Sequence, residues 1–446
     1  MIAFYTEPYL LSTDPGHEMN IVWITGCPEG GFVRFGFDEN LEYRTEAVCE
    51  EIFGIRAPAS DGGYSDIKDE NPPLRLWRCI APIDGLKPGQ RVYYRCECGG
   101  EVTETYGFHT APPSGEPFRI AQMSDLQGIN PCADTVYKIG CFHPDLILFS
   151  GDATFHPWRA DQWFDIRHPS QPDEKKKLAF FPCMQQQNGA RLMQYCPTFL
   201  CVGNHESDDM RLVFDREYSS HDENWSWSIF MQLFSPLFPD KDFSLTGRRY
   251  YSADYSDLHI TALSVQRCAG WGAYDYPGWR LTDPINEGSE QARWLEEDLQ
   301  NTKAKFKWVI MHWHLLNKGY DTQIKLGPPK IEDGKVADYP DDCTQYLMDT
   351  FEKYKVNGVS FGHSHVYERY YVRGVHYIEA AYLGCCYRRP EEPLHPFGFQ
   401  PVAEDNSTQS FLIIDRDGNG LTGKGYHASK TPELFDEYKI AGNGKG

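Results

Sequence analysis

Five short apolar runs between residues 118 and 365 each end in a turn that carries polar side chains. A short apolar run bounded by turn residues predicts a β-strand that is buried on both faces. Helical stretches separate these runs, so the segment predicts two packed sheets flanked by helices. The runs and the polar residues that follow them are 118–123 before Asp125, 145–149 before Asp152, 199–202 before Asn204 and His205, 307–311 before His312 and His314, and 356–361 before His363 and His365.

The polar residues at these five strand ends are of the types that bind divalent metal ions. In open α/β sheets, ligands gather just beyond the carboxyl ends of the strands. Carboxylate and amide oxygens and neutral imidazole are common ligands of such ions. Any one of these segments alone is more simply an ordinary turn, but five of them together favour a dinuclear metal site.

Residues 1–113 show a different pattern, in which strand-like runs are separated by turns and helical periodicity is weak. The runs are rich in β-branched and aromatic residues, which favour strands. Residues 111–117 contain three prolines and predict a short linker to the following domain. The predicted N-terminal strands are 20–25, 31–36, 74–79 and 91–96.

Composition narrows the range of partners and compartments. The chain has 446 residues, enough for two domains, and a formal net charge of −21. That charge argues against a nucleic-acid backbone or an anionic membrane as the main partner. An 18-residue apolar span is absent, and the 14 cysteines have no zinc-site spacing. With no secretory leader at the N-terminus these features favour a reduced, cytoplasmic protein, although a chain from which a leader had been removed would look the same.

The order of the strand-end motifs resembles that of the calcineurin-like metallophosphoesterases, and within them the purple acid phosphatases. That family carries an Asp motif, then GDxxY, GNH(D/E), VxxH and GHxH, and this chain matches the five in order, with Phe155 at the tyrosine of GDxxY. The resemblance covers roughly residues 15 to 425. It implies a fibronectin-III-like β-sandwich at residues 1–113 and a four-layer α/β/β/α catalytic domain at residues 114–430. The polar, Gly-rich end of the chain predicts a flexible tail at 431–446.

The resemblance also assigns roles to individual residues. It implies two divalent metal ions that activate a water molecule as hydroxide, with Asp152 bridging both. His205 matches a histidine that contacts substrate or protonates the leaving group, and His314 is a candidate for a second acid or phosphate contact. The implied ligands are Asp125 and His365 for metal one, Asn204, His312 and His363 for metal two, and Asp152 for both.

Two positions depart from the family pattern. Phe155 stands where GDxxY has its tyrosine, so the purple colour and a strong preference for Fe(III) are not expected. Gln127 stands where related phosphoesterases have a histidine. The sequence leaves open whether Gln127 or His156 completes metal one. Mn, Zn and Fe(II) all suit the mixed nitrogen and oxygen donors.

The leading functional hypothesis is hydrolysis of phosphate mono- or diesters in a small anionic substrate. An alternative is the same metal centre acting on a non-phosphate substrate such as an acidic carbohydrate, because aromatic residues at 271–279 could stack on sugars. A third hypothesis is a binding protein that has lost catalysis. The sequence does not determine the oligomeric state.

Overall fold

The structure is a computed structural model of the whole chain. It describes residues 2–60, 63–65, 70–127, 132–166, 179–185, 191–206, 228–243, 247–265, 285, 287–316, 330–332, 335–338, 343–379, 383, 399–405, 407–418 and 420–442.

The N-terminal region forms two antiparallel sheets that pack face to face. One has the strand order β1-β2-β6-β5, and the other has the order β4-β3-β7-β8 with β9 also paired to β7. Apolar side chains from both sheets form a common cluster, so the region is a β-sandwich. Its strands are β1 (Tyr9–Leu11), β2 (Glu18–Thr25), β3 (Gly31–Gly36), β4 (Tyr43–Glu46), β5 (Val48–Ile52), β6 (Leu76–Asp84), β7 (Arg91–Cys98), β8 (Glu101–Val102) and β9 (Tyr106–His109).

Two larger mixed sheets follow. The six-stranded sheet has the order β12-β11-β10-β22-β23-β24, and the seven-stranded sheet has the order β13-β14-β15-β18-β20-β19-β21. A two-stranded ribbon pairs β16 with β17. The strands are β10 (Phe118–Met123), β11 (Leu146–Phe149), β12 (Thr198–Leu200), β13 (Tyr251–Tyr255), β14 (Leu258–Ala262), β15 (Phe306–Ile310), β16 (Lys330–Glu332), β17 (Lys335–Asp338), β18 (Gly358–Phe361), β19 (Tyr367–Val372), β20 (Val375–Glu379), β21 (Ala403–Asp405), β22 (Ser410–Arg416), β23 (Gly420–His427) and β24 (Glu433–Ala441).

Helices pack against these two sheets. Val136 and Ile139 of the first helix join the apolar cluster that both large sheets share. Leu295 and Phe351, from the last two helices, join a second cluster with residues of the seven-stranded sheet. The helices are α1 (Cys132–Gly140), α2 (Ala160–Trp163), α3 (Phe180–Met184), α4 (Leu192–Tyr195), α5 (Ile229–Leu233), α6 (Glu290–Asn301) and α7 (Cys343–Lys353), with a 3-10 turn at Ser235–Leu237. Among the described residues, none of these helices has the length and apolar character needed to cross a membrane.

The C-terminal stretch differs from the flexible tail expected at 431–446. Residues Glu433–Ala441 form β24, which pairs antiparallel with β23. Asp436, Tyr438 and Ile440 alternate with exposed residues and are buried. Asp436 is buried because Arg369 binds its carboxylate with two hydrogen bonds of 2.6 and 2.8 Å. The prediction of a tail is therefore wrong for these nine residues.

The cysteines also differ in part from the expectation of a fully reduced chain. Cys49 of β5 and Cys79 of β6 face each other in register and are joined by a disulfide. The pair Cys385 and Cys386 lies outside the described residues. Disulfides form and persist in oxidising compartments, so this pair does not support the expected cytoplasmic environment.

Candidate metal centre

The strands that end at the candidate site run parallel to one another within each large sheet. β10, β11 and β12 are parallel neighbours in the six-stranded sheet. β14, β15 and β18 are parallel neighbours in the seven-stranded sheet. Their carboxyl ends therefore lie at a common edge. The predicted apolar runs match these strands within one to two residues, and Asp125 and Asp152 follow β10 and β11 directly in the turns.

Asp152, Asn204, His312 and His363 form a compact group at this edge. Nε2 of His312 lies 3.1 Å from a carboxylate oxygen of Asp152 and 3.0 Å from the amide oxygen of Asn204. Nδ1 of His363 lies 2.8 Å from the same Asn204 oxygen. One ligand atom each from Asp152, His312 and His363 lie within 4.8 Å of one another. Four donor atoms thus converge on one small volume.

Nδ1 of His312, the ring nitrogen that points away from Asp152 and Asn204, forms a hydrogen bond with the backbone. It lies 2.7 Å from the carbonyl oxygen of Ser150, to which it donates. Such a hydrogen bond fixes the tautomer of a metal-binding histidine and leaves the lone pair of the other nitrogen free for a cation. This arrangement fits a divalent metal held by Nε2 of His312.

Asp125 and His365 form the neighbouring part of the group. Nε2 of His365 lies 3.3 Å from a carboxylate oxygen of Asp125. The backbone N–H of His363 donates to Asp125, with distances of 3.2 and 3.1 Å to the two oxygens. Glu379 of β20 accepts the backbone N–H of Ser364 at 2.7 Å and so holds the loop between the two histidines.

The backbone at this edge is strained. Asp125, Gln127, Asp152, His363 and His365 all have positive φ, between 46° and 85°. Such conformations are uncommon for residues with a side chain, cost of order 1–3 kcal/mol each, and cluster at functional sites. The fold therefore keeps strained backbone conformations at the five residues whose side chains point to this edge.

Two glycines allow the loops to approach one another. A Cβ at Gly203 would collide with the carboxylate of Asp152, and a Cβ at Gly362 would lie 2.5 Å from Asp125. Both positions therefore exclude any larger residue, because the carboxylates occupy the space that a side chain would need.

Glu206 ties two of the loops together. Its carboxylate accepts the backbone N–H groups of Asp152 at 2.9 Å, Thr154 at 3.1 Å and Gly203 at 2.9 Å. Burial and the nearby charge of Asp152 raise the pKa of Glu206 to about 7. The sequence suggested that Glu206 orients His205 or only begins a helix; the geometry makes it a clamp between the loops after β11 and β12.

Charges within the group shift each other's protonation. Burial alone would raise the pKa of Asp152, but His312 and His205 outweigh it and hold that pKa well below its usual range. Burial would likewise lower the pKa of His312, but Asp152 raises it to about 10. A bound cation would replace the His312 proton as the partner of Asp152. Burial, and then His312, lower the pKa of His363 well below its usual value, which favours the neutral imidazole, the form that can bind a metal ion.

His205 is oriented by its neighbours. Its backbone N–H donates to Asp152 at 3.0 Å, and its Nδ1 lies 3.1 Å from the carbonyl oxygen of Phe155. The ring of Phe155 packs on the imidazole at 4.3 Å. Nε2 then lies 3.8 Å from the carboxylate of Asp152 and faces the group. Phe155 therefore supports His205 at the position where the family has a tyrosine.

Gln127 and His156, the two candidates for the remaining ligand of metal one, have different surroundings in the structure. The amide of Gln127 is buried and lies 2.9 Å from a carboxylate oxygen of Asp152. The ring of His156 instead contacts Phe155 at 4.8 Å and Trp158 at 6.1 Å. The side chain of Gln127 thus contacts Asp152, the residue that the resemblance implies to bridge the two metals.

The rings of Trp313 and His314 both lie next to the ring of His363. The ring of Trp313 stacks on His363 at 4.0 Å, and the ring of His314 lies 5.6 Å from it. Both side chains are buried. The sequence singled out His314 but missed Trp313, whose position next to the ligand His312 was the available clue.

The family model described as calcineurin-like phosphoesterase matches residues 118–367, more than half of the chain. The chain belongs to the calcineurin-like phosphoesterase family. This finding confirms the resemblance seen in the motifs. All the residues of the candidate centre lie within the matched segment.

Curated relatives include purple acid phosphatases. The chain is 26% identical over 305 residues to purple acid phosphatase 23 of Arabidopsis thaliana, covering 64% of this chain and 56% of that protein. It is 24% identical over 424 residues to human acid phosphatase type 7, covering 93% and 81% of the two chains. The match spans about half the length of the Arabidopsis relatives.

Two solved structures share the fold of this calcineurin-like chain. The purple acid phosphatase PPD1 from yellow lupin (Lupinus luteus) superposes with a TM-score of 0.65 at 15% identity, covering 97% of this chain and 74% of that one. The structure of PhoD superposes with a TM-score of 0.61 at 12% identity, covering 98% and 91%.

Proposed function

We propose that this protein hydrolyses phosphate mono- or diesters in a small anionic substrate at a dinuclear divalent metal centre. The observation that carries the proposal is the convergence of carboxylate, amide and imidazole donors at one strained sheet edge, in a member of the calcineurin-like phosphoesterase family. The names of the curated relatives, which are acid phosphatases, support the same reaction. The ligands are Asp125, Asp152, Asn204, His312, His363 and His365.

Two bound cations would supply an activated water molecule and neutralise charge on the phosphoryl group. The carboxylate of Asp152 lies 3.1 Å from His312, and Asp152 follows β11, the parallel neighbour of the strand that Asp125 follows, which suits it to contribute to both half-sites. The Glu206 clamp and the Ser150 carbonyl hold Asp152 and His312 in place. These partners reduce the reorganisation that binding and reaction require.

His205 is assigned the role of general acid. Nδ1 donates to the carbonyl of Phe155, so in the imidazolium form the second proton is on Nε2, which faces the group and is the proton available for transfer. From there it would pass to the leaving oxygen as the ester bond breaks. His314, whose ring lies 5.6 Å from that of His363, is assigned a contact with the phosphoryl group or a second acid role.

The finer points of the fold are part of the same proposal. The N-terminal sandwich is proposed to be of the fibronectin-III type, ending near residue 113. The placement of α1 and of α6 and α7 in the two apolar clusters supports a four-layer α/β/β/α order for the catalytic domain. The acidic charge of the chain supports a small substrate rather than a nucleic acid.

The acidic-carbohydrate alternative rested on aromatic residues at 271–279, which lie outside the described residues. It therefore enters as an outcome of the test. Chelator-stripped protein would be reloaded with Mn²⁺, Zn²⁺ or Fe²⁺ and assayed on phosphomonoesters, phosphodiesters and acidic oligosaccharides, with an Asp152→Ala preparation as the control for contaminating phosphatase. We expect phosphoester cleavage only in the reloaded wild type. Cleavage of oligosaccharides but of no phosphoester would contradict the proposal.

A further inference from the structure

Gln127 is the feature of the centre that the proposed ligand set does not use. Its side chain is buried, with 6% of its surface exposed, although it carries a polar amide. Its backbone has a φ of 46°, a strained value for a residue with a side chain. Strained backbone at a residue whose polar amide is buried suggests that the amide has a task at this position.

The contact of the amide shows where that task lies. Nε2 of Gln127 lies 2.9 Å from the carboxylate oxygen of Asp152 that also lies 3.1 Å from His312. Gln127 also follows Asp125 by two residues in the turn after β10. The amide therefore lies beside the carboxylate that the two half-sites share, on the same turn as Asp125.

The side-chain amide of glutamine ends in an NH₂ donor and an oxygen acceptor of nearly the same size, so either atom can occupy the same position. Rotation by half a turn about its last bond exchanges Nε2 and Oε1. Without a cation, the N–H group facing the carboxylate is the favourable arrangement. When a cation lies between the carboxylates, the amide oxygen becomes the favourable atom to face it.

We propose that Gln127 binds a metal ion through Oε1 and completes the half-site formed by Asp125, His365 and the shared Asp152. This inference rests on the proposed metal centre. The half-site then has three oxygen donors and one nitrogen donor. The other half-site has two oxygens, from Asp152 and Asn204, and two imidazole nitrogens, from His312 and His363.

The two half-sites consequently prefer different metals. Oxygen-rich sites suit Mn²⁺, whereas imidazole suits Zn²⁺, which also binds more tightly than Mn²⁺ to a given set of nitrogen and oxygen donors. One equivalent of Zn²⁺ is expected to fill the half-site with two imidazoles. Mn²⁺ added next is expected to enter the half-site that contains Gln127.

The test measures metal binding without any substrate. Metal-free protein would receive one equivalent of Zn²⁺, followed by a Mn²⁺ titration in which electron paramagnetic resonance reports free aqueous Mn²⁺. We expect Gln127→Ala to weaken Mn²⁺ binding about 10–100-fold, the range seen when groups around a metal are removed, and to leave Zn²⁺ binding unchanged. Unchanged Zn²⁺ binding also shows that the variant is folded.

Two further variants separate a ligand from a hydrogen-bond donor. Gln127→Glu keeps an oxygen but loses the N–H, so it should bind Mn²⁺ at least as tightly as the wild type does. Gln185→Ala is the matched control, because Gln185 is also 6% exposed but donates to the carbonyl of Glu7 at 2.8 Å, away from the centre. It should leave both metals unaffected.

Each other outcome overturns the inference. If Gln127→Ala weakens Zn²⁺ and Mn²⁺ equally, the amide acts only by orienting the shared Asp152. If Gln127→Ala changes neither affinity, or if Gln127→Glu loses Mn²⁺ as Gln127→Ala does, Gln127 is not a ligand. A wild type that binds no metal at all would instead refute the proposed function, so the two failures are distinguishable.

Discussion

The two opposite edges of the large sheets both bury charged side chains, but they do so in different ways. At the edge where β10, β11, β15 and β18 end, carboxylates and imidazoles converge on a common volume. At the edge where β10 and β14 begin, the buried side chains of Arg416 and His259 are matched by carboxylates. There Arg416, which pairs with Phe118 across the sheet, binds Asp257 with hydrogen bonds of 3.1 and 2.6 Å.

This difference distinguishes a structural charge from a functional one. Arg416 and Asp257 pair through two hydrogen bonds while only 1% and 4% exposed, and they join the six-stranded to the seven-stranded sheet. His259 is similarly held, with Asp254 at 2.8 Å and Asp298 at 2.9 Å on its two ring nitrogens. The centre, by contrast, places donors side by side with strained backbone, and only a cation would satisfy them together.

The largest expected effect comes from removing the shared ligand of the converging edge. Asp152→Ala should reduce metal-dependent activity to background and lower metal content, because both half-sites lose a carboxylate. Its free energy of unfolding in the absence of metal should also fall, because His312 loses the carboxylate that raises its pKa, and the N–H groups of Gln127 and His205 lose their acceptor. Elemental analysis and chemical denaturation would check this. Normal metal content in Asp152→Ala would show that Asp152 is not a metal ligand and would contradict the proposed role of this edge.

The next largest effect concerns a residue beside the ligands. His205→Ala should lower turnover by roughly 10²–10⁴-fold, the range for a lost general acid, while metal content stays normal. Steady-state kinetics with elemental analysis would measure both. Full turnover in this variant would pass the acid role to His314, and full turnover in the double variant would refute the assignment of either histidine.

Changes at the paired edge should lower stability and leave metal binding intact. Asp257→Ala leaves Arg416 buried without its partner and should lower the free energy of unfolding by about 3–5 kcal/mol, while metal content per folded chain stays normal. Chemical denaturation would measure the change. The double variant Asp257→Ala/Arg416→Met should regain most of the loss. A single variant that loses less than about 1 kcal/mol would show that the pair is not structural.

The smallest effect is a dependence of stability on pH at the paired edge. Burial opposes the charge on His259, but Asp254 and Asp298 outweigh it and raise its pKa to about 9. A folded-state pKa above the unfolded value of about 6.5 stabilises the fold fully below pH 6.5. This contribution, on the order of 2–3 kcal/mol, is lost as the pH rises through about 9.

Denaturation of the wild type and of His259→Asn between pH 6 and 10 would test this prediction. The stability of the wild type should fall over that interval more steeply than that of the variant. Equal slopes for the two proteins would show that His259 is not charged in the folded state.

The functional edge could largely be predicted from the sequence, whereas the paired edge could not. Apolar runs followed by turns identify strands locally, so Asp125, Asp152, Asn204 and His312 were visible as strand-end residues. Arg416 and Asp257 are 159 residues apart, and only the packing of the two sheets brings them together. The Cys49–Cys79 disulfide was missed for the same reason, since it depends on the register of β5 and β6.

Geometry also decided what composition had left ambiguous. The C-terminal strand β24 carries Glu433, Asp436 and Glu437, which made it resemble a solvated tail. Its alternation of buried and exposed residues identifies a strand only once Asp436 is known to be buried against Arg369. The choice between Gln127 and His156 was likewise open in the sequence, because both are close to the motifs and only the fold shows which side chain reaches Asp152.

The central claim is that phosphoester hydrolysis depends on two metal ions bound by the converging edge. The most direct test measures phosphate release from the best phosphoester substrate as a function of the metal bound per chain, starting from metal-free protein. We expect almost no release at one ion per chain and a rise to full activity as the second ion binds. Full activity in the metal-free protein, or none with both ions bound on any phosphoester, would contradict the account.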